Sequence, residues 1–295
     1  MNIIDHHFLK QLHLPAKNSH KGNNGRLMII GGSRLFHGAS LWALKVSSRI
    51  VDAVYYASVP QNQKIAQFLQ KRLYAFICVP QGKEQDYIAE SDVILIGPGM
   101  VRGSKEYTGT REDESQTREK VLGFLQAFPD KKWVIDAGAL QVISPKDLAK
   151  LSQVIITPHQ KEFERLFNVK LNLTNYNLDD GGFLQNIILV KQKALEFGLT
   201  IVLKGLVDIV ASASGEIYLN KTGNEGMTKG GTGDVLAGLI ASLYCTNDAL
   251  VAAGVGIYIN GLTGDLLYQK TGPFFNADDL VDKIPEALWK EMKRK

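Results

Sequence analysis

Asn220-Lys-Thr-Gly-Asn-Glu-Gly-Met-Thr-Lys-Gly-Gly-Thr-Gly-Asp234, running directly into Val235-Leu-Ala-Gly-Leu-Ile-Ala-Ser-Leu243, is a glycine-rich turn that opens an apolar helix. Gly230, Gly231 and Gly233 permit positive φ angles and close backbone approach. Thr232 and the amides of the first helical turn supply donors where the helix dipole favours an anion. The stretch reads as a phosphate seat. Asp234 stands on its rim, placed to take a proton from a hydroxyl that attacks a phosphoryl group. A glycine-rich loop capped by an ordinary N-terminal Asp is the plainer reading of the same residues.

Outward from this turn, short apolar runs alternate with helical patterns. Leu27-Met-Ile-Ile30, Val54-Tyr-Tyr-Ala57, Ala75-Phe-Ile-Cys-Val79, Val93-Ile-Leu-Ile96, Trp133-Val-Ile135, Val154-Ile-Ile156 and Ile201-Val-Leu203 are continuous enough for buried parallel strands. Helices are expected between them, for example over 40–52 and 191–197. The fold class is therefore α/β, with a mostly parallel central sheet flanked by helices on both faces. Gly31-Gly-Ser33, Gly97-Pro-Gly99, Asp136, Thr157-Pro-His159 and Lys204 all fall just after strands. In such sheets ligands bind at that edge.

Composition excludes several other classes. A net charge of +4 over 295 residues, with the basic residues dispersed, gives no nucleic-acid footprint, and 45% hydrophobic residues suffice for one large core. Cys78 and Cys245 have no metal-ligand spacing and read as reduced buried thiols, consistent with a cytoplasmic protein. The N-terminus lacks the apolar core of a secretory signal, and no stretch is expected to reach membrane-spanning length. Of the six histidines, four lie between positions 6 and 20 without a ligand rhythm and read as surface residues. Neither a P-loop nor a dinucleotide fingerprint is present. The polar stretch 102–120 reads as a solvated loop leading into a helix near Arg118, and Asp179-Asp180 before Gly181-Gly182 as a turn.

The 220–238 segment resembles the GTGD motif of the ribokinase-like superfamily, and its flanks are similar to the ADP- or ATP-dependent NAD(P)H-hydrate dehydratases. Other blocks of that family stand in the same order: His20-Lys-Gly-Asn-Asn-Gly25, Leu27-Met-Ile-Ile-Gly-Gly-Ser33, Gly38-Ala39, Gly97-Pro-Gly99, Val134-Ile-Asp136, Thr157-Pro-His159 with Glu162, and Val202-Leu-Lys-Gly205. The resemblance implies one ribokinase-like dehydratase domain over 1–295, without the family's companion epimerase domain. It further implies nucleotide-dependent dehydration of (6S)-NAD(P)H hydrate, a carbon–oxygen lyase reaction, in a homo-oligomer that is a tetramer in similar proteins.

Residue by residue, the resemblance implies that Lys204, Gly205, Leu206, Val207 and Asp208 lie along the nucleotide with Gly230, Gly231, Thr232 and Gly233. Ala39, Gly99, His159 and Asp234 would line the hydrate pocket, with Asp234 as the catalytic base. Glu162 would hold magnesium-bound water near the phosphates, with no direct protein ligand to the Mg2+, while ADP or ATP serves as phosphoryl donor. Taken alone, His159 is as readily structural, Glu162 as readily a helix-dipole partner, and Lys204 a solvated strand end.

Three departures stand out. Similar enzymes read Asp-Ala-Asp-Ala-Leu where this chain has Asp136-Ala-Gly-Ala-Leu140, Gly where it has Lys161, and Ala-Thr where it has Thr228-Lys229. One acid lost and two lysines gained imply a more positive field at the phosphates. A small-molecule kinase of the hydroxyethylthiazole or hydroxymethylpyrimidine phosphate type would share the seat and Asp234. A noncatalytic nucleotide-binding protein is the third reading.

Overall fold

Val- and Ile-rich runs form the sheet, as strands covered on both faces require. The computed structural model describes residues 2–101, 111–172 and 181–294, without the side chains of 111–115. The strands are β1 (Asn2–Ile3), β2 (Arg26–Ile30), β3 (Ala53–Ala57), β4 (Ile77–Cys78), β5 (Val93–Ile96), β6 (Lys132–Ile135), β7 (Gln153–Ile156), β8 (Thr200–Leu203), β9 (Asp208–Ala211) and β10 (Ile217–Asn220). Across the sheet they lie in the order β1-β10-β9-β8-β7-β6-β5-β2-β3-β4. Neighbours are parallel except β9, which runs antiparallel to β8 and β10. The β9–β10 hairpin and β1 are additions to the expected strands.

The helices are α1 (His37–Ser47), α2 (Pro60–Leu69), α3 (Glu84–Glu90), α4 (Arg111–Ala127), α5 (Ala137–Val142), α6 (Pro145–Leu148), α7 (Gln160–Phe167), α8 (Gly181–Phe197), α9 (Thr232–Tyr244), α10 (Ala249–Thr271) and α11 (Ala277–Met292). The expected helix near Arg118 is α4. The loop part of the 102–120 reading and the Asp179-Asp180 turn lie outside the described residues.

Period-two alternation divides the core between the two faces. Leu27, Ile29, Val93, Leu95 and Val134 pack with α1, α9, α10 and α11. Met28, Ile30, Ile94, Ile96 and Trp133 pack with α4, α5, α7 and α8. Helix α9 is apolar all round because it is enclosed: every residue from Val235 to Tyr244 is buried.

Helix α10 corrects one expectation. It is 23 residues long and holds an 18-residue window of mean hydropathy 1.4, long and apolar enough to cross a membrane. Yet 72% of that apolar window is buried inside the fold. Its glycines are sites of close packing, since a Cβ on Gly254 would lie 2.4 Å from Phe8 and one on Gly256 2.5 Å from Ile240. The hydrophobicity serves contact with neighbouring elements on most sides of the helix.

Strand order reverses between β2 and β5, which are paired although the chain visits β3 and β4 between them. A crevice forms where successive connections leave in opposite directions. The loops after β2 and β5, Gly31-Gly-Ser33 and Gly97-Pro-Gly99, flank that point and are tied by Gly32 N donating to Pro98 O at 2.6 Å.

Candidate active site

The turn before α9 is built around one strained position and a helix start. Gly231 is the N-cap with φ 101°, and a Cβ there would meet the Trp42 ring at 2.6 Å, so only glycine fits. Gly230 and Gly233 do not adopt positive φ, contrary to the expectation for all three glycines. Gly233 lies inside the first turn instead, where a Cβ would have only Lys204 Nζ nearby, at 3.5 Å. The Thr232 hydroxyl donates to Met227 O at 2.7 Å, which closes the turn on itself. The donors left to the seat are therefore backbone amides of the first turn, Gly233 foremost.

Lys204 is the centre of charge. It follows β8, its side chain is 22% exposed, and its Nζ lies 3.1 Å from Oδ1 of Asp136, which follows β6 and is almost fully buried. Burial pulls the ammonium pKa down, but Asp136, Glu162 and Asp234 pull it up more strongly, so it ends above its ordinary value. Three carboxylates thus act on one lysine. Lys161 is exposed, and Lys229 is turned away to donate to Pro273 O and lie over the Phe275 ring.

His159 and Glu162 together cap α7. His159 N donates to Glu162 Oε2 at 3.0 Å, and Glu162 N donates to His159 Nδ1 at 3.2 Å. This reciprocal capping box holds Glu162 buried beneath His159. A backbone bridge pairs His159 with Lys204, which brings the ends of β7 and β8 together.

The segment 204–208 borders a cavity of about 610 Å3, also lined by Thr222, Asn224, Met227, Thr232, Gly233 and Asn260. Gly205, Leu206 and Asp208 face it, whereas Val207 packs on the core and Gly230 and Gly231 are not part of the lining. Asp208 Oδ1 accepts from Gly205 N at 2.8 Å and Oδ2 accepts from Asn220 Nδ2 at 2.9 Å. Burial pushes its pKa up to about 6, against the opposing effect of Asn220, Gly205 and Lys204. Asp265 on α10 clamps the far wall, accepting from Gly223 N at 3.0 Å and Asn224 Nδ2 at 2.9 Å.

Ala39 and Gly99 meet at the strand-order reversal. A Cβ on Gly99 would lie 2.9 Å from Ala39 Cβ and 2.4 Å from Phe36 O, so the loop lies flush on the first turn of α1. Trp42, one turn further along α1, touches Gly231, which places the starts of α1 and α9 side by side. Beside this contact a recess of about 410 Å3 runs from Gly31 and Met100 toward Ser58 and Lys120.

Asp136, Asn260 and Asp265 escaped selection as site residues in the sequence. Asp136 stood in a block shared with the family, and Asn260 and Asp265 interrupt the apolar stretch 249–267 of α10, which was the available signal. Gly138 has a steric origin: a Cβ would lie 2.5 Å from Met100 O. The second carboxylate of similar enzymes has no room here.

The NAD(P)H-hydrate dehydratase family model matches residues 27–286. The bifunctional NAD(P)H-hydrate repair enzyme Nnr of Methanocaldococcus jannaschii is 37% identical over 95% of this chain and 51% of its own length. This chain spans about half the length of that relative. The ADP-dependent (S)-NAD(P)H-hydrate dehydratase of Nitrosopumilus maritimus is 32% identical over 92% of this chain and 90% of its own. Among solved structures, the ADP/ATP-dependent NAD(P)H-hydrate dehydratase of Bacillus subtilis, co-crystallised with ATP and Mg2+, superposes with TM-score 0.78 at 25% identity, covering 99% of both chains. The fold is ribokinase-like, and the chain belongs to the NAD(P)H-hydrate dehydratase family.

Proposed function

We propose that the protein restores NAD(P)H from its (6S)-hydrate, using ADP or ATP as phosphoryl donor and releasing phosphate and the spent nucleotide. The observation that carries this reading is the convergence of Lys204, Asp136, Glu162 and Asp234 beside a nucleotide-sized cavity that ends at Gly233. Asp234 accepts the proton of the hydroxyl on the hydrated nicotinamide ring. Lys204 and the first-turn amides of α9 stabilise the phosphoryl group as it passes to that oxygen. The phosphorylated hydrate then expels phosphate from the hydroxyl-bearing carbon and gives up a proton from the adjacent ring carbon to solvent, so that the ring double bond reforms. General-base help is worth about 10²–10⁴-fold, and oriented donors add a comparable factor by preorganisation.

Asp136 and Glu162 supply buried carboxylate oxygens, a donor set that suits Mg2+ held largely through water and polyphosphate. When bound, the ion offsets charge on the transferring group. The Ala39–Gly99 contact would receive the nicotinamide end, and the neighbouring 410 Å3 recess gives room for the rest of the dinucleotide. His159 borders the same edge through its bridge to Lys204. A cytoplasmic homo-oligomer is part of the proposal. Supporting it are two free cysteines, exposed Ile77 on the edge strand β4, and exposed Phe68 and Tyr74 in the segment that precedes it.

The test is incubation with hydrated NADH or NADPH, Mg2+ and either nucleotide, following nicotinamide absorbance and phosphate. Recovery with one phosphate per turnover is expected. Consumption of ATP against a thiazole or pyrimidine alcohol, with the hydrate untouched, would instead establish a kinase. Tight nucleotide binding with neither reaction would leave a noncatalytic binder.

A further inference from the structure

One face of α10 holds the loop that walls the 610 Å3 cavity. Gly261, Gly264, Asp265 and Tyr268 follow the i, i+3, i+4, i+7 spacing of that face. A Cβ on Gly261 would lie 2.3 Å from Thr222 Oγ1 and one on Gly264 2.4 Å from Met227 Sδ, so the loop lies directly against the helix. The Tyr268 hydroxyl donates to Glu225 Oε1 at 2.6 Å. Asp265 uses both carboxylate oxygens on the loop, accepting from Gly223 N and from Asn224 Nδ2. The Asn224 side-chain oxygen accepts from Gly226 N at 2.9 Å and so caps the short 3-10 helix Glu225–Thr228. Within it Met227 N donates to Asn224 O at 3.0 Å, and Met227 O accepts from the Thr232 hydroxyl at 2.7 Å. A hydrogen-bonded path thus runs from α10 to the first residue of α9.

We infer that Asp265 is a positioning residue for the phosphate seat: through Asn224 and Met227 it fixes where Thr232 starts α9, and hence where the Gly233 amide points. Asp265 stands behind the cavity wall, whereas Asn224, Met227, Thr232 and Gly233 form its lining. This rests on the nucleotide reading of the cavity given above. Two acceptor oxygens are needed at position 265. An amide of the same shape offers only one, so Asp265→Asn leaves Gly223 N or Asn224 Nδ2 unmet, and turning Asn224 over to recover that bond loses the one from Gly226 N. The sign of the effect is diagnostic. Removing a negative charge near a polyphosphate by itself tightens binding, whereas a slackened seat weakens it.

The experiment compares wild type, Asp265→Asn, Thr232→Val and the double variant by calorimetry with ATP and Mg2+, by thermal melting, and in turnover with hydrated NADH. Asp265→Asn should weaken ATP binding at least about tenfold, the order of a lost hydrogen bond to a charged group, and raise the KM for ATP alike while the KM for hydrate stays within about twofold. Thr232→Val cuts the last link and should weaken ATP to a similar extent. The double variant should lie within about twofold of the weaker single one, because both act along one path. ATP binding that is unchanged or tighter in Asp265→Asn overturns the inference, as do losses that multiply in the double variant. A parallel rise of both KM values with a lowered melting temperature also overturns it, since the carboxylate then serves only the general fold. If Asp265→Asn does not fold, Thr232→Val decides: wild-type ATP affinity there shows that the seat does not depend on its tie to Met227 and overturns the inference. Calorimetry needs no turnover, so a failed repair reaction leaves that arm intact, whereas a wild type that binds no ATP removes the cavity reading and this inference with it.

Discussion

Gly138→Ala tests whether the missing carboxylate of Asp136-Ala-Gly-Ala-Leu140 is a matter of room. Two effects oppose each other. Replacing glycine by alanine within α5 favours the helix by about 1 kcal/mol. The added Cβ, however, would lie 2.5 Å from Met100 O, 2.8 Å from Met100 Cβ and 2.9 Å from Met100 C. Two of these are backbone atoms that no rotamer change can move, and the segment is tied by Met100 N and Gly138 N, which both donate to Gly97 O. Overpacking of this kind costs about 1–3 kcal/mol, and contacts this short belong at the upper end. The clash wins, leaving a net loss of about 1–2 kcal/mol. For a chain of this size that lowers the melting temperature by roughly 2–8 °C in ligand-free calorimetry. Gly138→Asp should lose more and also weaken hydrate binding, since displacing Met100 drags the adjoining Gly99 off Ala39. An alanine variant melting at or above wild type would refute the reasoning.

Asp234→Asn should keep nucleotide affinity and lower turnover at least about a hundredfold, measured as hydrate-dependent absorbance recovery; near-normal turnover removes Asp234 from the base role. Gly233→Val should weaken nucleotide binding far more than it lowers melting temperature, because the added side chain meets only the Lys204 ammonium in the free protein but occupies the phosphate seat. Unchanged affinity in a folded variant would place the phosphates elsewhere. Asp208, with its folded pKa raised from 3.8 to about 6, keeps its proton longer in the folded than in the unfolded state. Its contribution therefore declines as pH rises from about 4 to 6 and is flat above, by up to about 3 kcal/mol. Denaturant titrations of wild type and Asp208→Asn across that range should diverge accordingly, with the wild type losing ground as pH rises. A stability difference independent of pH would show that Asp208 titrates normally.

Much of the scaffold was legible because its signals are local. Runs such as Val93-Ile-Leu-Ile96 are short, aliphatic and bounded by turn residues, so β2, β3 and β5 to β8 could be read directly. The hairpin of β9 and β10 could not. Asp208-Ile-Val-Ala211 and Ile217-Tyr-Leu-Asn220 are short and each carries a polar residue at one end, and what makes them strands is pairing with β8 and with each other. Helix α10 could be read by composition as a membrane span, since hydropathy does not distinguish lipid from a protein interior.

For the site, the sequence by itself pointed to a phosphate seat before α9 with Asp234 as base, because these rest on residue types at fixed spacing within one segment, and it identified the family from blocks standing in order along the chain. Tertiary structure decided the partners. Lys204 and Asp136 are 68 residues apart and Asn224 and Asp265 41 apart. The Gly138 clash involves a loop from another strand, and the Thr232 hydroxyl proves to be spent on its own turn. No periodicity encodes which side chains will face one another, because that depends on strand order and on where each chain reversal ends. Propensity and spacing act along the chain, whereas hydrogen bonds, desolvation and steric exclusion act through space, and they are evaluated only once the sheet has brought its C-terminal ends together.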